Sequence, residues 1–211
     1  MTGNVYEKGI DISHWNVVND FNKVKADGYN FVIIKAGGSD KGRYTDKCFN
    51  DYYKRAKDAG LKVGCYYFVG KKFWGDVSGK ADAEHLLRII GGKSFDYPIC
   101  LDIEALDRKY KKAITEATIA FCDYLESRGF YVSIYGSDVS SFMDLLELNK
   151  LTAYDKWVAR YGSLPKYVKE YGIHQKSSTG KVNGIIGNVD IDDSYKDYAR
   201  IIKRAKLNGV K

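Results

Sequence analysis

Proline and long hydrophobic runs are scarce in this chain. Only two of its 211 residues are prolines, Pro98 and Pro165, and no stretch rich in serine, glycine or proline divides the sequence. A membrane-spanning helix needs about 20 consecutive apolar residues, and no run approaches that length. We therefore expect a single domain over residues 1–211, with its core at about 8–208, and no insertion into a membrane.

Motifs for metals, redox chemistry and nucleotides are also lacking. The four cysteines form no CxxC pair, so free and mostly buried thiols are expected: Cys48, Cys65, Cys100 and Cys122. The three histidines have no HxxxH spacing, so each is expected to be a surface or packing residue rather than a zinc ligand: His14, His85 and His174. Neither GxGxxG after the first strand nor GxxxxGK[ST] occurs. No metal and no cofactor are predicted.

The net charge of the chain is +7. A basic protein is attracted to polyanions, and nucleic acid, anionic membranes and the bacterial cell wall are all candidates. The lysines are spread along the chain instead of forming one basic tract. Charge alone therefore does not choose among these partners.

Short apolar runs alternate with longer amphipathic stretches. The runs predict strands at residues 8–13, 31–35, 62–69, 97–104, 131–135, 156–161, 172–176 and 188–191. The amphipathic stretches predict helices at 16–28, 45–60, 78–90, 115–129, 139–147 and 194–206. This alternation predicts parallel strands with helical crossovers, and so an α/β fold of the irregular (β/α)8 barrel type. An open doubly wound sheet is the alternative.

Three of the predicted strands carry acids on one face and apolar residues on the other, because strand side chains alternate. Asp11 lies opposite Ile10 and Ile12, and Asp102 and Glu104 lie opposite three apolar residues. Asp190 and Asp192 repeat the pattern. In a barrel the apolar face meets the outer helices, so the acids should converge inside, near the strand ends where barrel enzymes have their active sites.

Converging carboxyl groups raise one another's pKa values. A protonated acid beside an ionised one is the pair that glycoside hydrolysis requires. Inward carboxylates also suit Mg²⁺ or Ca²⁺, but the segment at Asp190 lacks the glycine and distal glutamate of an EF-hand loop. Solvated strand ends or partners of lysines are the non-catalytic alternative.

Five sequence blocks together resemble glycoside hydrolase family 25, the Chalaropsis-type lysozymes found among phage endolysins and bacterial autolysins. The blocks are Gly9-Ile10-Asp11-Ile12-Ser13-x-Trp15, Phe31-Val32-Ile33-Ile34-Lys35-Ala36, Gly64-x-Tyr66-x-Phe68, Leu101-Asp102-Ile103-Glu104 and Gly187-Asn188-Val189-Asp190. The resemblance covers about residues 8–200. It implies an irregular β/α barrel and hydrolysis of the β-1,4 bond between N-acetylmuramic acid and N-acetylglucosamine in peptidoglycan.

Carried over by position, the resemblance implies that Glu104 is the general acid/base and Asp102 its partner. Asp11 and Asp190 resemble two further cleft aspartates, whereas Asp192 is the weaker match. Six residues resemble the sugar-binding wall: Lys35, Tyr66, Phe68, Tyr135, Trp157 and Gln175. Core packing is the alternative for each aromatic residue, and an internal salt bridge is the alternative for Lys35. Substrate-assisted retention and inversion through a water both stay open, and we favour retention.

The sequence departs from the family pattern at three places. Tyr67 and Lys176 replace a usual histidine and tyrosine, His174 replaces a tryptophan, and residues 37–39 replace a usual Thr-Glu-Gly. We expect these positions on the rim of the cleft. The differences bear on sugar preference more than on the chemistry.

Other functions remain as alternatives. A chitinase-like enzyme would carry a DxxDxDxE run, but apolar residues precede Asp102 in this strand. A non-catalytic wall-binding domain would not need all four acids. Nucleic-acid binding would be opposed by the inward acids. We expect a monomer acting on peptidoglycan glycan strands, with no nucleic-acid partner.

No signal peptide precedes the first strand and no wall-binding repeat follows residue 208 in this sequence. We therefore expect a catalytic domain that acts on the bacterial wall. It would reach the wall from the host cytoplasm on release, as endolysins do, or by secretion with a signal removed.

Overall fold

The computed structural model describes residues 4–210. Within them the strands are β1 (Glu7–Ile12), β2 (Val17–Val18), β3 (Phe31–Gly38), β4 (Tyr44–Thr45), β5 (Lys62–Phe68), β6 (Ile99–Asp102), β7 (Val132–Ser137), β8 (Asp155–Ala159), β9 (Ile173–Gly180), β10 (Ile185–Ile186) and β11 (Val189–Ser194). The helices are α1 (Phe21–Ala26), α2 (Phe49–Asp58), α3 (Gly75–Ile90), α4 (Lys111–Glu126) and α5 (Tyr198–Ala205). Short 3₁₀ turns span Arg108–Tyr110 and Leu148–Lys150.

Eight strands close into a barrel in the order β1-β11-β9-β8-β7-β6-β5-β3, and β3 pairs with β1 to complete the ring. The α/β barrel predicted from the sequence is confirmed, and the open sheet is not found. Strands β2 and β10 form a separate ribbon, and β4 extends the end of β3.

Side-chain alternation divides the apolar residues into two layers. One cluster lies between the barrel and its helices and includes Ile10, Val32 and Leu101. A smaller cluster fills the barrel and includes Phe31, Cys100 and Trp157. The predicted acids therefore share the barrel interior with the second cluster.

Helix α5 closes one end of the barrel. Its buried Tyr198 and Ile202 belong to the inner cluster, and Tyr198 packs against Tyr97 with ring centroids 5.2 Å apart. Tyr97 lies just before β6, so this is the end where the parallel strands begin. The opposite end, where β3, β5 and β6 finish, is left for the acids.

Not every strand is parallel, contrary to the prediction. Strand β11 runs antiparallel to both β1 and β9. Short connections join β9, β10 and β11 without a helix between them. Without a crossover helix to return the chain, consecutive strands reverse direction.

Two predicted helices differ from the structure. The helix predicted at 16–28 begins only at Phe21, because Asp20 caps it by accepting a hydrogen bond from the backbone N–H of Asn22, and Val17–Val18 pair with β10 instead. The helix predicted at 139–147 is a series of turns. Its backbone hydrogen bonds mix four- and five-residue spacings, as in Met143 to Val139 and Asp144 to Val139. The apolar residues that predicted the helix are buried in these turns instead, among them Phe142 and Leu146.

The described part of the chain contains no helix that is both long and apolar enough to cross a bilayer. Its four cysteines are free, three of them buried and Cys48 partly so.

Candidate active site

An open cleft of about 650 Å³ lies where the parallel strands end. All ten residues predicted for the site line it: Asp11, Lys35, Tyr66, Phe68, Asp102, Glu104, Tyr135, Trp157, Gln175 and Asp190. They come from β1, β3, β5, β6, β7, β8, β9 and β11 and from the residues just after β6. The structure thus brings together residues that are far apart in the chain.

Register explains this convergence. Asp11 lies opposite Asp190 in the β1–β11 ladder, and Asp102 pairs with Phe68 on β5 and with Tyr135 on β7. Glu104 lies two residues beyond Asp102, and the next residue, Ala105, has a φ of +48°. This left-handed conformation is unusual for alanine and turns the chain sharply after the glutamate.

Asp102 and Glu104 both hold protons more tightly than ordinary carboxyl groups. Burial, followed by repulsion from Glu104, raises the pKa of Asp102, and Lys35 opposes the rise. Burial raises the pKa of Glu104, against hydrogen bonding by Tyr135 and the charge of Lys35. One carboxyl oxygen of Asp102, Oδ1, is buried and has no hydrogen-bond partner among the described residues. Such a group favours a bound partner or a proton.

Asp11 lies at the centre of a second group of acids. Its carboxylate accepts a 2.7 Å hydrogen bond from Nε2 of Gln175, whose Oε1 accepts from the hydroxyls of Tyr135 at 2.9 Å and Tyr161 at 3.0 Å. Burial first, then the charges of Asp192 and Asp190, raise the pKa of Asp11 well above its usual range. The glutamine fixes the position of this carboxyl at the cleft floor.

Asp192 lies beneath the cleft and is fully buried. Oδ1 accepts a hydrogen bond from the indole of Trp157, while Oδ2 has no hydrogen-bond partner among residues 4–210. Burial raises the pKa of Asp192 to about 8. A carboxyl group with this pKa keeps its proton at neutral pH. The inward direction of Asp192 was predicted, but its partners were not.

Lys35 lies among aromatic rings. Its Nζ is 4.5 Å from the ring centre of Phe68, 5.8 Å from that of Tyr44 and 5.9 Å from that of Tyr66. Within the described chain it forms no salt bridge, so the alternative of an internal ion pair is not found. An ammonium group over aromatic faces keeps its charge available to an anionic ligand.

The cleft also contains residues that the sequence analysis missed. Trp15 is 79% exposed and packs on the ring of His14 at a centroid distance of 4.5 Å. His14 is held by the buried Asp46, 32 residues away, through Nδ1. The segment 39–47 supplies further lining residues: Asp40, Lys41, Tyr44, Thr45, Asp46 and Lys47. Of these residues, the sequence indicated only Trp15, because it ends the family block that begins in β1.

None of the residues at the three departures lines the cleft, contrary to the expectation of a rim position. Tyr67 is buried in the outer layer and shares a hydrogen bond with His85. His174 bonds to the carbonyl of Arg160, and Lys176 pairs with Asp193. Strand alternation places each of them opposite Tyr66, Phe68 or Gln175, which do line the cleft. In the segment 37–39, the hydroxyl of Ser39 donates a hydrogen bond to Asp82.

Residues 4–210 contain no group of three or more histidine, cysteine, aspartate or glutamate side chains arranged to hold a metal ion. Among these acids, Asp11 accepts a hydrogen bond from Gln175 and Asp192 accepts one from Trp157.

Residues 10–185 match the glycosyl hydrolases family 25. The chain belongs to this family. The resemblance inferred from the five sequence blocks is therefore confirmed, and the family is one of glycoside hydrolases.

Individual relatives agree with the family assignment. The chain is 34% identical over 193 residues to the autolytic lysozyme of Clostridium acetobutylicum, covering 88% of this chain and 55% of that protein. It is 28% identical to lysozyme M1 of Streptomyces globisporus, covering 94% of this chain and 71% of the relative. The crystal structure of the Streptomyces coelicolor bacterial lysozyme is similar with a TM-score of 0.76, at 25% identity, over 99% of this chain and 100% of that one. The chain thus spans only about half of the clostridial relative.

Proposed function

We propose that this protein is an N-acetylmuramidase, a lysozyme that hydrolyses the β-1,4 bond between N-acetylmuramic acid and N-acetylglucosamine in peptidoglycan. The observation that supports this most is the pair Asp102 and Glu104 at the end of β6, both with raised pKa values, in an open cleft lined by aromatic rings. Two related proteins carry the name lysozyme.

Glu104 is the proton donor to the glycosidic oxygen. It is half-buried, and its raised pKa keeps it protonated to a higher pH than an ordinary glutamate. Positive charge that develops on the sugar ring is stabilised by the nearby carboxyl groups.

Asp102 orients the 2-acetamido group of the substrate, whose own oxygen attacks the anomeric carbon with retention of configuration. Its buried Oδ1, which lacks a partner within residues 4–210, suits a hydrogen bond from that N–H. Asp11 and Asp190 adjust the charge around Asp102. Gln175, which accepts a hydrogen bond from Tyr135, fixes the position of Asp11. A water activated by Asp102 would give inversion instead.

Lys35 and the aromatic wall bind the sugars. Tyr66, Phe68, Tyr135 and Trp157 provide apolar faces for the sugar rings. The ammonium of Lys35 is positioned for the lactyl carboxylate of muramic acid, because it is held by rings rather than by an acid. The net charge of +7 favours approach to an anionic wall. This catalytic domain acts on the glycan strands of the wall as a monomer.

Digestion of purified sacculi tests the proposal. Mass spectrometry should find fragments with muramic acid at the new reducing end, and proton NMR at early times should show the β-anomer. Initial release of the α-anomer would replace retention by inversion. Fragments with N-acetylglucosamine at the reducing end, or binding without new reducing ends, would contradict muramidase activity.

A further inference from the structure

A second pocket, of about 440 Å³, lies at the opposite end of the barrel from the cleft. Its lining comes from the start of β8, from the segment before β9 and from the residues after β11. The chain between β8 and β9 forms no helix, so an irregular segment covers this side of the barrel and leaves a space of ligand size.

Lys156 is the buried cation of this pocket. The residue is 7% exposed, and its ammonium group forms neither a salt bridge nor a hydrogen bond in the described chain. Burial lowers its pKa, and Asp155 and Glu170 oppose that change. A buried ammonium group without an anionic partner is costly.

The carboxyl oxygens of the neighbouring acid, Asp155, already accept hydrogen bonds from other groups. Oδ2 of Asp155 accepts hydrogen bonds from Lys196 Nζ at 2.8 Å, Tyr198 at 2.7 Å and Tyr131 at 3.1 Å, and Oδ1 accepts from the backbone N–H of Lys156 at 2.8 Å. Asp155 therefore ties β8 to α5, and within residues 4–210 its ion pair is with Lys196 and not with Lys156. Glu170 is exposed and forms no ion pair within residues 4–210.

Three ammonium groups line this pocket: Lys156, Lys169 and Lys196. Two acids line it, Asp155 and Glu170, and both carboxyl oxygens of Asp155 already accept hydrogen bonds. We propose that the pocket binds a phosphoryl group, either as inorganic phosphate or as a phosphate ester. A phosphate near neutral pH carries a charge of about −1.5 to −2 and three acceptor oxygens, so it can contact more than one ammonium group. Lysine binds phosphate as a point charge. This site does not depend on the proposed muramidase activity.

Thermal unfolding at constant ionic strength tests the site, with sodium chloride replacing phosphate in the controls. Inorganic phosphate at ten times its Kd should raise the Tm of the wild-type protein by roughly 3–5 °C. Lys156→Met should lose this shift, and without phosphate it should be at least as stable as the wild type because it removes an unpaired buried charge. Lys203→Met, an exposed lysine of α5 outside the pocket, is the matched control and should respond like the wild type.

Lys169→Met gives a second test that does not depend on a buried substitution, because Lys169 is exposed. It should reduce the phosphate shift without preventing folding. Neither variant should change lytic activity, since the pocket and the cleft lie at opposite ends of the barrel. A parallel titration with glycerol 3-phosphate separates a phosphate ester from inorganic phosphate as the ligand. An increase in Tm with glycerol 3-phosphate shows that the pocket accepts phosphate esters. An increase with inorganic phosphate but not with glycerol 3-phosphate shows that it binds the free ion. Equal shifts in the wild type and Lys156→Met, or no shift beyond sodium chloride, would overturn the proposal.

Discussion

The indole N–H of Trp157 donates a 2.7 Å hydrogen bond to Asp192, a carboxyl group with no exposed surface. Trp157 also lines the cleft and packs on Tyr135 at a ring distance of 4.3 Å. The aromatic wall is thereby joined to a buried carboxyl group whose raised pKa keeps it protonated at neutral pH.

Asp192→Asn tests whether Asp192 holds this proton. Because the pKa of Asp192 rises from 3.8 to about 8 on folding, the folded state binds a proton that the unfolded state has lost in this range. The free energy of unfolding of the wild type should therefore fall as pH rises from 3.8 to about 8, by at most about 1.4 kcal/mol per pH unit. The amide imitates the protonated form and removes this contribution.

Urea unfolding across that pH range measures the difference. The stability of Asp192→Asn relative to the wild type should increase steadily with pH. Asp144→Asn, at a carboxyl outside the cleft, should follow the wild-type curve. Parallel curves for Asp192→Asn and the wild type would show that no such proton is held.

Lys35→Met should move the alkaline limb of activity to higher pH. Lys35 lowers the pKa of both Asp102 and Glu104, so its removal lets Glu104 stay protonated longer. The measurement is kcat/KM on soluble wall fragments as a function of pH. Lys35→Arg keeps the charge and should keep the wild-type limb, whereas a shift to lower pH in Lys35→Met would reverse the electrostatic account.

Trp15→Ala should weaken binding of glycan strands. The ring is 79% exposed on the rim of the cleft, and loss of one sugar-stacking face corresponds to about a tenfold decrease in kcat/KM. Stability should change by no more than about 0.5 kcal/mol, since the ring is mostly in solvent. Trp74→Ala, at a partly exposed tryptophan outside the cleft, is the control. Equal activity in both variants would remove Trp15 from the binding surface.

The sequence predicted the barrel and the convergence of its acids because both follow from alternation along single strands. Asp11, Asp102 and Asp190 each lie opposite apolar neighbours, and this local pattern determines which face of a strand is inside. The fold class and the family are confirmed, while the catalytic roles of these residues stay predictions.

Features that depend on distant partners were not predictable. His14 is held by Asp46 through a contact that their spacing in the sequence does not predict, and no element was predicted for residues 39–44. The direction of β11 depends on short connections, not on its own residues. Asp192 shows the same limit, because alternation predicts its direction but not its hydrogen bond from Trp157.

Glu104→Gln tests the central claim most directly. The amide keeps the shape of the side chain but cannot donate a proton to the glycosidic oxygen, so lysis of cell walls should fall by roughly 10³-fold with an unchanged Tm. Glu116→Gln, on the exposed face of α4, should lyse walls at the wild-type rate. Turbidity clearance by Glu104→Gln at a rate near that of Glu116→Gln would contradict the assignment of Glu104 as the proton donor.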